Sequence, residues 1–209
     1  DIVSDIITGF GADTENTTRF VDTLRAVASN ANTDVSMMGE SMKYVASDAS
    51  ALGYSVEETA SALGMLANAG IKGSQGGTTL RMMFSKLAKP TKEAQGLIKS
   101  MNLDFKNANG EFKSMAGIIT ELNTKMGGLT KAQKKNRLAT LFGTRASTGM
   151  LAIMNQGSDE LSNLTEKLRN SGGVTEKMAK EQMKTLNGQM KILGGSANIV
   201  AQELGSSLA

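Results

Sequence analysis

Adjacent carboxylates stand at Glu57-Glu58 and Asp159-Glu160, and paired carboxylates are a residue type that general acid–base chemistry uses. Neighbours along a helix point to different faces, so neither pair can converge on one substrate, and both read as first-turn acids favoured by the helix dipole. Four glycines, Gly70, Gly73, Gly76 and Gly77, precede a helical pattern, an arrangement that in a phosphate loop aims backbone amides at an anion. Here the match fails, because a phosphate loop ends in Gly-Lys-Ser/Thr and follows a buried strand, whereas Thr78 directly follows Gly77 and the upstream segment is helical. The expectation is a C′ glycine at 70, a flexible turn through 73, 76 and 77, and Thr78 as the next N-cap. Lys131, Lys134, Lys135 and Arg137 make a basic helix in which 131, 134 and 135 share a face. Such a face could touch DNA or anionic lipid, but with aromatic residues at 4% there is no platform for stacking bases. It reads as a solvated face rather than a specific nucleic-acid site.

The chain holds no His, Cys or Trp. Imidazole bases, thiolate nucleophiles and zinc or iron–sulfur sites built on those residues are therefore excluded, and no catalytic residue, cofactor or metal is expected. The absence of Cys leaves the redox compartment open. Met is frequent, at 14, and Gly at 23, so the core must be built from Leu, Ile, Ala, Val and gap-filling Met, a composition suited to helix-on-helix packing. No run of eighteen apolar residues occurs and the first residues lack a signal-peptide pattern. Starting without Met and stopping just after an amphipathic pattern, the chain reads as a piece of a longer protein. Charge is unevenly distributed: residues 1–60 hold 3 basic and 10 acidic groups, residues 61–150 hold 14 and 4, and residues 151–209 hold 6 and 6. That asymmetry suggests head-to-tail or domain-to-domain complementarity, or a basic surface facing nucleic acid, alongside ordinary solvated helix faces.

The elements that must position these groups are mostly helices. Residues 17–29 and 35–52 read as amphipathic helices, and Ser55-Val56-Glu57-Glu58 is a capping box opening a helix over about 56–69 that presents mostly small apolar side chains. Thr130 with Gln133 repeats the capping box before a helix ending at Gly143, and Thr144, Ser158 and Thr175 are expected to cap three more. Leu103–Lys106 and Glu111–Lys113 flank Asn109-Gly110 and predict one small β-hairpin near 103–113, with Phe105 and Phe112 packing down on the helices. At the end, Met183, Leu186, Met190, Leu193, Ala197, Val200 and Leu204 are spaced 3-4-3-4-3-4, a heptad seam for a long coiled-coil or bundle helix. The predicted fold is all-α, a multi-helix bundle of short glycine-punctuated helices with that hairpin and a long C-terminal helix. Its expected divisions are 1–30, an N-terminal helical segment; 31–173, a core module; and 174–209, the long helix.

Two stretches carry a resemblance. Leu66-Ala67-Asn68-Ala69-Gly70-Ile71-Lys72-Gly73-Ser74-Gln75-Gly76-Gly77-Thr78-Thr79-Leu80-Arg81 and Leu141-Phe142-Gly143-Thr144-Arg145-Ala146 resemble the core region of bacteriophage tail tape measure proteins, which are minor tail proteins. The similarity runs over most of residues 30 to 170, with Gly76-Gly77 standing where family members more often read Ala-Gly. The resemblance implies a structural, non-enzymatic virion protein in the lumen of the tail tube, present in the host cytoplasm during assembly. It implies a homo-oligomer, guessed as a trimer, whose rod templates the tube and fixes tail length. Implied partners are tail tube, distal tail and tail assembly chaperone proteins, with host membrane contact when the protein leaves ahead of the DNA. The competing class is a helical interaction adaptor or membrane-active effector unrelated to tail length.

Overall fold

The computed structural model describes residues 2–173 and, beyond them, 176, 177, 180, 181 and 183–185. The chain divides into two units at Gly173. In the first, α1 (Ile2–Phe10) leads through a short 3₁₀ turn (Thr14–Asn16) into α2 (Thr17–Asn30), α3 (Val35–Ala51), α4 (Val56–Asn68) and α5 (Gly73–Ala88). Then come α6 (Lys92–Ser100), α7 (Met115–Met126), α8 (Lys131–Phe142), α9 (Thr144–Gln156) and α10 (Ser158–Arg169). The segment 1–30 does not stand apart: Ile6, Phe20, Leu24 and Val27 lie in the same core as the later helices.

The core is organised around α4. Small or apolar side chains occupy nearly every position, and Val56 through Ala67 are buried except Glu58, so this helix has no wet face. α2, α3, α5, α9 and α10 pack around it. Burying Leu63, Met65 and Leu66 contributes about 1.5–3 kcal/mol each before entropy is counted. Two hydroxyls interrupt that helix, and each is satisfied one turn back: Thr59 donates to the Ser55 carbonyl and Ser61 to the Glu57 carbonyl, both at 2.8 Å. The sole proline, Pro90, ends α5, because the residue before a proline is driven out of the helical region; Lys89 sits at φ −137° and ψ 75°. Thr91 then caps α6 by accepting the Ala94 N–H.

One carboxylate is buried with its counter-ion. Glu57 is 2% exposed, and Arg19 Nε and Nη2 donate to its two carboxylate oxygens at 2.6 and 2.8 Å, a forked pair joining α2 to α4. Burial works to raise the Glu57 carboxyl, but the Arg19 hydrogen bond, backbone hydrogen bonding and the adjacent positive charge together outweigh it and hold the group below the usual carboxylate range. Arg19 is correspondingly raised by its hydrogen bond to Glu57.

Several local expectations change. The hairpin strands do not form; Lys106 and Phe112 make a single antiparallel bridge. The backbone pairs only briefly, from Asn107 N–H to the Glu111 carbonyl at 2.8 Å and from Lys113 N–H to the Phe105 carbonyl at 2.9 Å, while Asn107 Oδ1 accepts from the N–H groups of Asn109 and Glu111 and Asp104 Oδ1 accepts from Lys106 N–H. The turn closes from Gly110 N–H to the Asn107 carbonyl with Gly110 at φ +83°, one residue earlier than an Asn109-Gly110 turn would close. Phe105 does pack down, its ring centroid 6.5 Å from that of Phe142. The Ser55 capping box is half formed: Ser55 accepts the Glu58 N–H, while the Glu58 carboxylate instead accepts the N–H of Met115 at 3.0 Å and so pins the start of α7. Thr130 and Gln133 make the full box. Thr144 and Ser158 are first helical residues rather than caps, because one glycine alone, Gly143 or Gly157, joins each pair of consecutive helices and occupies the cap position. Thr175 lies outside the described residues, as does the heptad seam from Leu186 through Met190, Leu193, Ala197, Val200 and Leu204. Met183 is helical and 61% exposed within its own unit.

The ion pair fixes a pH dependence. A carboxyl lowered in the folded state stabilises fully above its ordinary value near 4.5 and loses that contribution as pH falls through the folded value. Denaturant titrations from neutral pH to pH 3 should therefore show wild type losing more stability than Glu57→Gln, by at most about 1.4 kcal/mol per pH unit for the one proton. Arg19→Met should destabilise by about 2 kcal/mol at pH 7, less than for a fully buried pair because half of the Arg19 side chain meets water.

Candidate functional site

The two glycine motifs, 60 or more residues apart in the chain, meet in space through α5 and α9. α4 ends at Gly70, whose φ of +83° lets its N–H reach the Ala67 carbonyl while Ile71 N–H reaches the Leu66 carbonyl, both at 2.9 Å. That six-residue closure is a Schellman motif, and it needs a residue without a Cβ penalty at 70. Three residues after Gly70, Gly73, at φ +55°, opens α5, and its carbonyl accepts the buried Ser41 hydroxyl at 2.7 Å, tying the start of α5 to the middle of α3.

Gly76 and Gly77 correct the sequence reading. They are not part of a turn, and Thr78 is not a cap: all three lie inside α5, which starts at Gly73 with Lys72 as N-cap. The two glycines are buried against α3, and a Cβ built on Gly77 would collide with the backbone carbonyl of Ser41 and come within 2.9 Å of Tyr44 Cβ. The glycine pair therefore sets the closest approach of α3 and α5. Comparable contacts continue on either side. Cβ atoms on Gly9 and Gly39 would meet Ala46 at 2.6 Å and Ile2 at 2.5 Å between α1 and α3, and one on Gly149 would meet Thr79 at 2.5 Å between α9 and α5. Helices with such small residues at their crossings pack backbone to backbone.

What faces outward between these contacts is polar. Ser74, Gln75 and Thr78 of α5 and Arg145 of α9 line a shallow cleft of about 380 Å³, and Asp48 of α3 with Arg81, Met82, Ser85 and Lys86 lines a second of about 380 Å³ one to two turns along the same helix. Arg145 is exposed and has no acidic partner among the described residues. Gly143, at φ +85°, is the single-residue link that places it, joining α8 to α9.

The residues that invited a chemical reading are placed for structure. Glu57 is held by Arg19, and Glu58 caps α7. Asp159 and Glu160 occupy the exposed first turn of α10. Lys131, Lys135 and Arg137 are exposed on α8 with Lys134 half-buried, and only Leu138, Leu141 and Phe142 of that helix are buried. Tyr54, which sequence reasoning passed over, is buried, stacks on Phe84 at 4.8 Å and donates to the Lys113 carbonyl; burial, with Glu58 adding, pushes its hydroxyl well above the usual range. Among the described residues no group of His, Cys, Asp and Glu could hold a metal ion, and no helix is long and apolar enough to cross a membrane.

The fold and site together define a close-packed helical module whose special residues serve contact between helices. Comparison with known proteins agrees with that class. The family profile for phage-related minor tail proteins matches residues 1–143, and the chain belongs to that family, whose role is structural and in a phage tail. The chain is 38% identical over 192 residues to the tape measure protein of Pneumococcus phage Dp-1, covering 92% of this chain and 17% of that protein. It is 28% identical over 186 residues to the probable tape measure protein of Escherichia phage P2, covering 88% of this chain and 23% of that protein. It thus spans less than a quarter of the length of either relative. No solved structure matches.

Two glycine substitutions separate contact from propensity. Gly77→Ala should destabilise by about 3 kcal/mol, since the new methyl meets backbone that cannot rotate away. Gly96→Ala, in the exposed interior of α6 with open space at its Cβ position, should stabilise by about 0.5–1 kcal/mol. Thermal and denaturant unfolding of the two variants against wild type measures both.

Proposed function

We propose that this chain is the compact module of a tape measure protein, assembling in several copies and launching the helical rod that templates the tail tube and sets tail length. The observation that carries the reading is the 38% identity to a tape measure protein along 92% of this chain, while that relative extends far beyond it. The physical division of labour fits. An extended rod measures length because a helix rises about 1.5 Å per residue, whereas ten helices of 9–17 residues folded on one core cannot serve as a linear ruler. The module would instead fix the position from which the rod starts. On this reading Met183, Leu186, Met190, Leu193, Ala197, Val200 and Leu204 form the seam between copies at the start of the rod, and three copies is the stoichiometry proposed. The protein would sit in the tube lumen of the virion and leave it during ejection, and tail tube, distal tail and tail assembly chaperone proteins are its proposed partners.

Two experiments test this. In a phage carrying this chain, in-frame deletions within the rod should shorten tails by about 1.5 Å per residue removed, while Gly77→Asp in the module should abolish tails without shortening any that form. Electron microscopy of the particles decides, and short tails from lesions in the module would overturn the assignment. In solution, light scattering of the purified chain should give a discrete multimer that Leu193→Asp reduces to monomer while far-ultraviolet circular dichroism of the module is unchanged. A multimer untouched by Leu193→Asp would remove the seam from the interface between copies.

A further inference from the structure

The charge asymmetry of the sequence becomes a geometric polarity in the first unit. α1 packs on α2 and α3, α3 on α5, α5 on α8 and α9, and α6 on α8, so α3 and α5 separate α1 from the α6–α8 pair in this series of contacts. At the first end Asp5 on α1 and Asp13 and Glu15 in the link to α2 are exposed, and among the described residues none is paired with a cation. The nearest basic group in sequence, Arg19, is committed to Glu57. At the other end Lys92 and Lys99 of α6 and Lys131, Lys135 and Arg137 of α8 are exposed, Lys134 is half-exposed, and among the described residues none has a carboxylate within ion-pair distance. Glu93 is the one acid within α6 and α8 themselves. Elsewhere some charges pair, Lys113 with Asp104 and Glu121 and Arg169 with Glu166, while others such as Arg145 have no ion pair among the described residues.

From this placement we infer that the module associates head to tail with further copies of itself, the basic end formed by α6 and α8 docking on the acidic end of the next copy around Asp5, Asp13 and Glu15. The charge complementarity selects the occupant. Each end carries what the other lacks, like ends repel, and a two-fold pairing that matched an end with itself would oppose like charges. A contact between different patches is heterologous, and it closes into a ring or continues as a stack according to the rotation between copies. The basic end lacks the aromatic side chains that a single-stranded nucleic acid would stack on. The inference rests on the reading above only for the presence of several copies; it uses none of residues 183–204, so the two can fail separately.

Sedimentation of the full purified chain at low and high salt, with charge reversals at each end, tests this. Association should weaken about tenfold or more between about 20 and about 300 mM salt, because exposed charges are screened over a few ångströms at the higher value. Lys92→Glu with Lys131→Glu, Lys134→Glu and Lys135→Glu, which turns the basic end net acidic, should weaken it about tenfold or more, and so should Asp5→Lys with Asp13→Lys and Glu15→Lys. Mixing the two variants should restore association, since one then has two acidic ends and the other two basic ends. Unchanged circular dichroism confirms that each variant folds, and Lys131→Gln with Lys135→Gln replaces the reversal if it does not. A wild-type chain that stays monomeric at low salt, a multimer indifferent to salt and to both reversals, or a mixture that fails to associate overturns the inference. So does a monomer that binds duplex DNA through the same lysines, which would make that end a polyanion surface. Leu193→Asp, run in parallel, reports on the seam independently.

Discussion

The approach of α3 to α5 is the constraint on which the rest of this fold depends. Gly77 rests on the backbone of Ser41, and one turn earlier the Ser41 hydroxyl is bound to the Gly73 carbonyl, so the two helices are fixed both in distance and in register. α1 then lies against the far side of α3 through Gly9 and Gly39, and α9 lies against α5 through Gly149. Each of these contacts replaces side-chain bulk with backbone proximity. A core poor in aromatic residues gains from this, because dispersion between closely packed backbones substitutes for the large surfaces that rings would bury. Met supplies the remainder: Met38, Met42, Met65, Met83, Met115, Met126 and Met150 are all at most 1% exposed and fill gaps of irregular shape.

Close packing also dictates how polar groups are handled. Ser and Thr are small enough to sit at helix crossings, and most of their buried hydroxyls bond within their own helix. Thr23 donates to the Arg19 carbonyl, Thr165 to the Leu161 carbonyl, and Thr59 and Ser61 to Ser55 and Glu57 carbonyls four residues back. Ser41, bonded to Gly73, is the hydroxyl that crosses between α3 and α5. Charge is treated differently: Glu57 is admitted only with the Arg19 fork, and Glu58 only by capping another helix. These uses absorb the acids that a chemical reading of the sequence singles out first, which accords with the structural role of the phage-related minor tail protein family.

Exposed acids gather on α1 and the link to α2 and exposed bases on α6 and α8, and the polar clefts along α5 carry further charge in Asp48, Arg81, Lys86 and Arg145. The two tape measure relatives are several times longer than this chain. Within the first unit, stability rests on contacts that any displacement of α3 or α5 would break together.

Sequence alone determined the all-helical class and the approximate bounds of α2, α3, α4 and α8, because periodic apolar spacing, capping hydroxyls and a C′ glycine act over a few residues, while α6 and α7 went unassigned. Residues 17–29, 35–52 and 56–69, the Thr130 box and the breaks at Gly70 and Gly143 are all of that local kind. What only the tertiary structure decided is which partner each residue meets. Gly76 and Gly77 resemble a turn in sequence, and become a contact surface only because α3 arrives there. Glu58 has the spacing to close its own capping box and instead bonds Met115, 57 residues on. The 103–113 segment has alternating side chains, yet its backbone is taken by Asn107 and Asp104 and its ring by Phe142. In each case the local alternatives are close in energy, and a distant neighbour, set by the packing of the whole module, makes the choice.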